Sequence, residues 1–272
     1  MSLYVTAIAS GSNGNCYYIG NQNEAILIDV GISCRELEQR LKRLELSVKK
    51  IKAIFISHEH TDHIRGARQF SRKYKIPIYL TPKTLYHSRL EFHDPLHVKI
   101  NTLEYIPVGD LQVLAFPKWH DAADPQSFIV SGSGVTVGVM TDIGAACAYV
   151  QKYLSCCHAV FLESNYDEQM LLTGRYPAFL KERVLSNKGH LSNLQALELV
   201  REYAGTQLNH IFLSHISKDN NTPEIAKQLF LSQTNNIEII TTSRHEAIQI
   251  YTICQEAENS GLHTQLKQKS IF

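Results

Sequence analysis

The feature that most constrains this chain is the run of potential metal ligands in residues 57–63, Ser-His-Glu-His-Thr-Asp-His. Residues 51–56, directly before it, are apolar and partly β-branched, which predicts a buried strand. Residues 64–73 follow the run, and we expect them to form a helix. His58 and His60 lie two apart on an extended segment and can point at one ion, while the other ligands follow as the chain turns. The run therefore predicts a metal site at a strand end.

The composition is that of an ordinary globular protein, with 44% hydrophobic and 19% charged residues in a chain of 272. Its apolar runs have the length of strands, so we expect no transmembrane helix, and the first residues lack the features of a signal peptide. The six cysteines form no Cys-x-x-Cys pair. We therefore expect reduced thiols that pack as small core residues, and a cytoplasmic location.

The length permits either one domain of two layered halves or two small domains. The predicted strands and helices fall into two similar halves, residues 1–130 and 131–250, with no linker between them. We expect one domain over residues 1–272, with a polar tail from about residue 256. A histidine-rich region in the first half matches no ligand spacing, and we expect its members to be surface or packing residues: His87, His93 and His97.

The formal net charge is +1, which by itself does not indicate a nucleic-acid partner. Lysines and arginines nevertheless concentrate in residues 35–52 and 65–75, on either side of the histidine run. Such clusters are typical of solvated helix faces. The sequence leaves open the alternative of a basic rim that suits an anionic substrate.

Other polar residues follow predicted strands in the same way, notably His120, Asp142 and His215. Layered α/β folds build their sites at such strand ends. Imidazole and carboxylate ligands suit zinc, manganese or iron, and two adjacent ions can activate water and stabilise both the attacking and the leaving oxygen. We therefore predict two divalent ions held by one set of ligands: His58, His60, Asp62, His63, His120, Asp142 and His215.

Two segments predict contacts with an anion. The loop of residues 10–15 is rich in Ser, Gly and Asn and exposes backbone N–H groups. His190 precedes a predicted helix over residues 194–203, whose N-cap is Ser192 or Asn193, and the positive end of a helix favours an anion. The candidate phosphate-binding residues are Ser10, Ser12, Asn13, Asn15, Ser192 and Asn193.

In the order of these motifs the chain resembles the metallo-β-lactamase superfamily over nearly its whole length, at residues 27–31, 58–63, 141–144 and 213–215 and at His120. The resemblance implies an α/β fold, the four-layer αββα sandwich, with the site along one edge of the two sheets. It implies that the first metal binds His58, His60 and His120. It implies that the second metal binds Asp62, His63 and His215. Asp142 would bridge the metals, with Asp29 behind the ligands.

Longer motifs resemble the YycJ/WalJ (VicX) group of this superfamily, at residues 10–16, 120–125, 163–167, 189–193 and 214–221. That group is bacterial and is associated with nuclease activity on DNA, in particular 5′-to-3′ exonuclease activity. It resembles a trimmed relative of ribonuclease Z and the β-CASP nucleases. No long insertion follows Asp142 here, so a full β-CASP cap is not expected.

Glu163 and His190 match a pair in ribonuclease Z-like enzymes, in which a glutamate after a strand orients a histidine before a helix. The resemblance implies that His190 contacts the scissile phosphate and protonates the leaving oxygen. A carboxylate fixes the tautomer of an imidazole and raises its basicity, which suits a general acid near neutral pH. The sequence leaves open that Glu163 is only a loop acid and His190 only a residue of the helix cap.

The resulting hypothesis is a dinuclear metal-dependent phosphodiesterase that acts on nucleic acid, expected to be DNA. Water oriented by Asp62 attacks phosphorus in line, and His190 protonates the departing oxygen. Two alternatives remain open: a hydrolase of thioesters or lactams on the same fold, and a regulatory metal-binding protein with vestigial catalysis. The ligand types do not choose among zinc, manganese and iron.

Overall fold

The computed structural model describes residues 2–88, 90, 94–234 and 236–255. Its strands in chain order are β1 (Ser2–Ala9), β2 (Cys16–Gly20), β3 (Ala25–Ile28), β4 (Ile51–Phe55), β5 (Ile78–Leu80), β6 (His97–Lys99), β7 (Tyr105–Val108), β8 (Leu111–Pro117), β9 (Gln126–Gly132), β10 (Val135–Met140), β11 (Ala159–Glu163), β12 (His210–Ser214), β13 (Glu238–Thr241) and β14 (Tyr251–Cys254). Its helices are α1 (Cys34–Arg43), α2 (Thr61–Ile64), α3 (Ala67–Tyr74), α4 (Pro82–His87), α5 (Ala148–Leu154), α6 (Glu168–Thr173), α7 (Ala178–Leu185), α8 (Asn193–Tyr203) and α9 (Pro223–Leu231).

The strands form two 7-stranded sheets with the same pattern of pairing. The first has the order β14-β1-β2-β3-β4-β5-β6, and the second has the order β13-β12-β11-β10-β9-β8-β7. In each sheet the pairs on one side are antiparallel as far as β3 or β10. The pairs on the other side are parallel. β3 and β10 therefore hold equivalent places in the two sheets.

The two sheets pack face to face around a shared core. The ring of Phe55 in the first sheet meets that of Phe128 in the second at 5.8 Å, and Tyr17 meets Phe161 at 5.0 Å. Each of these aromatic side chains is buried, and full burial of one stabilises the fold by about 1.5–3 kcal/mol. Apolar clusters on the outer faces join the first sheet to α1 and α3 and the second to α5, α8 and α9. The predicted αββα sandwich is confirmed.

The predicted helix over residues 64–73 is interrupted, and α2 and α3 take its place. In a continuous helix the amide of Gly66 would donate to the carbonyl of Asp62. That carbonyl instead accepts a hydrogen bond from Asn15 N, and Gly66 N donates to Val30 O at 2.9 Å. A contact between distant loops, which local periodicity cannot show, therefore ends the helix.

The boundary between the similar halves also differs from the prediction at residue 130. The chain leaves the first sheet at Lys99 and enters the second at Tyr105, because β7, β8 and β9 all pair within the second sheet. His87 is exposed and His97 is half-buried, while His93 and the predicted tail from residue 256 lie outside the described residues. Among the helices of the described ranges, none combines the length and the apolar character that a membrane crossing requires.

Helix caps follow the sequence closely. Ser33 caps α1 by accepting a hydrogen bond from Glu36 N, and the Glu36 carboxylate pairs with Arg40. Ser192 is the N-cap of α8, and Gln195 completes a capping box there. The start of α8 is thereby fixed next to the loop that carries His190.

Three backbone hydrogen bonds join the loops at the site edge of the first sheet. Asn15 N donates to Asp62 O, Gly31 N donates to Asn15 O, and Val30 N donates to His63 O, each at 2.8 Å. The three loops pack so closely that a Cβ on Gly31 would lie 1.6 Å from Asp62 O. The loop that carries the metal-binding motif is therefore held by backbone contacts that only glycine permits.

We predict that Gly31→Ala displaces the Asp62–His63 turn and destabilises the protein. Overpacking of this kind costs about 1–3 kcal/mol, here concentrated at the metal-binding loop. Urea unfolding of chelator-treated protein and metal content after reconstitution measure both effects. Gly132→Ala is the matched control, because its nearest contact would be the flexible Leu111 side chain at 3.0 Å. Equal stability and metal content in the two variants would contradict the prediction.

Candidate metal centre

The loops after the strands of both sheets enclose a polar cavity of about 280 Å³. Its lining includes several of the residues predicted from sequence: Ser12, His60, Asp62, His120, Asp142, His190 and His215. His58, His63 and Glu163 are fully buried and contact these residues from behind, and Asp29, also fully buried, contacts His63. The fold thus brings together side chains that are far apart in sequence.

Three strand ends at the cavity have left-handed backbone conformations in residues other than glycine. The φ angle is 61° at Asp29, 54° at Asp142 and 54° at His215. Such conformations cost free energy for residues with a Cβ, and they persist where the surroundings impose them. Here the left-handed residue directly follows β3 and β12, and one residue separates it from the end of β10.

His63 shows how the histidine rings are oriented. Its Nδ1 lies 2.7 Å from Asp29 Oδ2, so Nδ1–H donates to that carboxylate and Nε2 faces Asp142 Oδ2 at 3.3 Å. Asp29 also accepts hydrogen bonds from the amide and hydroxyl of Ser57, both at 2.8 Å. A carboxylate behind an imidazole fixes the tautomer that leaves the inner nitrogen free to bind a metal.

A second group of histidines lies on the other side of Asp142. His58 Nε2 and His60 Nδ1 are 3.1 Å apart, and His120 Nδ1–H donates to Gly189 O at 3.1 Å, which leaves His120 Nε2 facing the cavity. Asp142 Oδ1 is 4.0 Å from His120 Nε2, whereas its Oδ2 faces His63. Oδ1 is also 3.5 Å from His215 Nδ1, so Asp142 lies between histidines of both groups.

Glu163 lies behind the third group. Its Oε1 is 2.8 Å from His190 Nδ1 and 3.0 Å from His215 Nδ1, and its Oε2 accepts hydrogen bonds from the amides of Ile143 and Leu191. With both oxygens engaged, Glu163 orients the two rings and is not itself free to bind an ion. Asn165 adds a hydrogen bond to the carbonyl of His215 at 2.7 Å.

The donor atoms fit divalent metal ions. Atoms of His58, His60 and His120 lie within 4.8 Å of one another, and so do those of a second set, His58, His63 and Asp142. Asp62 Oδ2 is 3.5 Å from His63 Nε2 and 3.8 Å from His215 Nε2. Asp142 Oδ2 and His215 Nε2 are buried without a hydrogen-bond partner, which is costly unless a cation binds there. This donor set suits a dinuclear divalent metal site.

The buried histidines fall into two pairs whose pKa values shift in opposite directions, depending on how close each lies to a buried carboxylate. Burial lowers the pKa of His58 well below its usual value and that of His120 to about 4. Burial opposes protonation of His215 too, but the Asp142 carboxylate outweighs it and raises the pKa to about 10. Against the same burial, Asp142 and Asp29 raise the pKa of His63 well above its usual value. In the metal-free protein His63 and His215 therefore carry protons that metal binding must displace.

The side chains predicted to bind phosphate are placed unequally. Ser12 is exposed and lines the cavity, and Asn13 donates a hydrogen bond to Arg244 O at its edge. Ser10 and Asn15 are buried: Ser10 Oγ accepts from His215 N, and Asn15 Nδ2 lies 3.3 Å from Asp62 Oδ2. These two side chains support the centre from behind instead of facing the cavity.

The side chains of Ser192 and Asn193 are also engaged away from the cavity. Ser192 Oγ caps α8 and lies 3.1 Å from Glu168, and Asn193 pairs with Asn221 at 2.8 Å. Both residues are buried. They hold the start of α8 in place. Any contact with phosphate would therefore come from the residues that face the cavity.

Sequence reasoning missed the roof of the cavity. α7 and the segment before it supply four further lining residues, here called the roof: Tyr176, Leu180, Arg183 and Val184. α7 leaves Phe179 and Leu185 exposed, so it lacks the one-sided apolar pattern that would have marked a packed helix. The basic clusters beside the histidine run lie elsewhere, and several are paired locally, as in Arg72–Asp94 and Lys73–Glu38.

Comparison with known proteins agrees with this geometry. The sequence model of the Metallo-beta-lactamase superfamily matches residues 9–147, half of the chain. The chain therefore belongs to the metallo-β-lactamase superfamily, and the predicted class of activity, a metal-dependent hydrolase, is confirmed. The crystal structure of the metallo-beta-lactamase fold protein YhfI from Bacillus subtilis covers 92% of this chain and 99% of its own, with a TM-score of 0.70 and 16% identity, and so shares the fold.

Two relatives lie closer in sequence. Exodeoxyribonuclease YycJ of Bacillus anthracis is 33% identical over 230 residues, 84% of this chain and 87% of that protein. Exodeoxyribonuclease WalJ of Streptococcus pneumoniae serotype 2 (strain D39) is 30% identical over 233 residues, 83% of this chain and 86% of that protein. The resemblance to the YycJ/WalJ group is confirmed over most of the chain.

We predict that Asp29→Asn lowers metal affinity about 10- to 100-fold, the usual effect of removing a carboxylate behind a ligating histidine. Asp29 accepts hydrogen bonds on both oxygens, from Ser57 N on Oδ1 and from Ser57 Oγ and His63 on Oδ2. Asparagine replaces one oxygen by an NH2 group and removes the charge, so it cannot accept all three bonds. Asparagine tolerates the left-handed backbone, so the fold should persist. Competition with a chromophoric chelator measures the affinity. Asp110→Asn, an exposed carboxylate away from the cavity, is the control. Wild-type affinity in the Asp29 variant would contradict the assigned role.

Proposed function

We propose that the protein is a nuclease that hydrolyses phosphodiester bonds of DNA with two divalent metal ions. The observation that carries the proposal is the Glu163–His190 pair, 2.8 Å apart, at the edge of a cavity lined by clustered His and Asp side chains that could hold metal ions. A hydrolase of thioesters has a leaving group that departs without strong assistance, whereas an alkoxide leaving group needs a proton. The names of the two relatives, both exodeoxyribonucleases, support DNA as the substrate and exonuclease action as its mode.

We assign His58, His60 and His120 to the first ion. We assign Asp62, His63 and His215 to the second, with Asp142 between the two. When bound, such ions lower the pKa of the attacking water and stabilise charge on the phosphate in the transition state. Zinc and manganese both accept this set, and iron is a further candidate.

Asp62 has the position of an orienting base. Its Oδ2 receives Asn15 Nδ2 at 3.3 Å and lies beside the inner nitrogens of His63 and His215. These neighbours, His63 above all, outweigh the effect of burial and hold the pKa of Asp62 well below its usual value, so the carboxylate stays ionised. An ionised carboxylate in this place accepts a hydrogen bond from the attacking water and aims its lone pair at phosphorus.

His190 is the proposed general acid. Its Nδ1–H donates to Glu163, so Nε2 is the nitrogen left to protonate the leaving oxygen. Glu163 is fully buried, and despite burial the neighbouring His190 holds its pKa down at about 2, which keeps the carboxylate charged and able to accept the Nδ1–H of His190. The His190 ring is 19% exposed, enough to meet substrate while it stays fixed from behind.

We propose further that the chain acts as one domain, since residues of both sheets supply the cavity and share one core. A reducing compartment, the cytoplasm, suits the six cysteines, all of which are free thiols. We propose, from the resemblance to the YycJ/WalJ group, that degradation runs from the 5′ end.

We predict that His190→Ala lowers kcat on DNA about 10²- to 10⁴-fold, because the alkoxide must then leave without a proton. On a p-nitrophenyl ester of thymidine 5′-phosphate the loss should be much smaller, since p-nitrophenolate needs no protonation. Both reactions are measured with protein whose metal content equals that of the wild type. His87→Ala, an exposed histidine on α4, is the control. Equal losses on both substrates would argue against proton transfer by His190.

The substrate class is tested with end-labelled single- and double-stranded DNA and RNA, with zinc or manganese supplied. We expect release of nucleotides from the 5′ end of DNA and little turnover of a glutathione thioester. Turnover of the thioester without cleavage of any nucleic acid would replace the proposal by the thioester hydrolase. Absence of hydrolysis with every substrate, in metal-loaded protein, would favour the regulatory alternative.

A further inference from the structure

The carboxylate of Asp121 has two oxygens with contrasting surroundings. Oδ2 accepts hydrogen bonds from Arg183 Nε and Nη2, both at 2.6 Å. Oδ1 is buried, has no hydrogen-bond partner, and lies 3.3 Å from His120 Nε2. The backbone is fixed as well, because Asp121 N donates to Lys188 O at 3.0 Å. The side chain is thus held so that one buried, unpartnered oxygen faces a predicted metal ligand.

No proton lies between Asp121 Oδ1 and His120 Nε2, so the two atoms do not form a hydrogen bond. His120 Nδ1 is 3.1 Å from the carbonyl of Gly189, which can only accept, so in the neutral ring the proton is on Nδ1 and the lone pair is on Nε2. Two lone pairs then face each other at 3.3 Å inside the protein. A cation bound to both atoms turns this repulsion into attraction.

The separation itself matches that of atoms that share an ion. Two ligand atoms at zinc distances in tetrahedral geometry lie about 3.4 Å apart. His58 Nε2 and His60 Nδ1 are 3.1 Å apart, and His63 Nε2 and Asp142 Oδ2 are 3.3 Å apart. The pair of Asp121 and His120 falls in the same range.

We propose that Asp121 is an additional ligand, which binds the first ion through Oδ1 beside Nε2 of His120. The proposal rests on the two-ion part of the proposed function, not on the identity of the substrate. Arg183 is a positioning residue: by holding Oδ2 it keeps Oδ1 turned toward His120. Because Arg183 belongs to α7, the roof of the cavity is tied to the metal centre through one carboxylate.

An additional carboxylate makes the two ions unequal. Besides Asp142, the first ion would then have four protein side chains to hold it, and the second ion would have three. The first ion is therefore expected to bind more tightly and to leave last when metal is withdrawn.

The test measures metal binding and does not depend on nucleic acid. Asp121→Asn should weaken the tighter of the two binding steps about 10- to 100-fold in competition with a chromophoric chelator. With Co²⁺ in place of the native metal, the visible absorption of the first ion should change in the same variant. Asp219→Asn is the matched control, because Asp219 is an exposed carboxylate near the cavity whose hydrogen bond goes to the Tyr176 hydroxyl at 3.4 Å.

Arg183→Gln, which frees Oδ2, should give a smaller loss of affinity, and Arg183→Lys should restore part of it. Far-UV circular dichroism of the chelator-treated variants shows whether each is folded. Because asparagine has the same size as aspartate, the substitution should preserve the fold. Wild-type affinities and an unchanged Co²⁺ spectrum in Asp121→Asn would overturn the proposal. So would a variant that loses only turnover, since that outcome assigns Asp121 to the substrate.

Failure of this inference and failure of the proposed function can be told apart. If the wild type binds two ions but cleaves no DNA, the nuclease proposal falls and the ligand role of Asp121 is still decided by affinity and spectrum. If DNA is cleaved and Asp121→Asn binds metal normally, the nuclease proposal stands and the additional ligand is rejected.

Discussion

Buried carboxylates are the interaction on which the rest of this structure depends. Asp29, Asp142 and Glu163 lie at strand ends with almost no exposure, where an ionised group is costly unless charges and hydrogen bonds surround it. Asp29 and Glu163 meet this requirement with backbone amides and histidine N–H groups. Their hydrogen bonds fix the ring of each neighbouring histidine, so the geometry of the centre is set before any ion binds.

The repeated topology of the sheets explains why the charges meet. β3 and β10 occupy equivalent places, and each is followed by an aspartate in a left-handed turn. The two aspartates are equivalent in position but not in role. Asp29 faces away from the cavity and supports His63, whereas Asp142 faces both groups of donors. One structural position thus serves once as support and once as a bridge.

Much of the fold and of the donor set was predictable, because it depends on local patterns: apolar strands, a helix cap at Ser192, and polar residues placed where strands end. The break at Gly66 was not, since its cause is a hydrogen bond to Val30 across the fold. Nor was the burial of Ser10, Asn15 and Asn193, because composition shows that a loop is polar but not which side chains it turns inward. α7 gave no signal, because a roof that leaves apolar side chains exposed has no clear periodicity.

The left-handed aspartates and histidine have a consequence for the history of the molecule. Asp29, Asp142 and His215 keep backbones that glycine or asparagine would adopt with less strain. Selection for thermal stability in the absence of metal would therefore replace these residues first and produce a sturdier but chemically inert sandwich. Their presence in one chain marks a protein in which the demands of the centre have outweighed those of the scaffold.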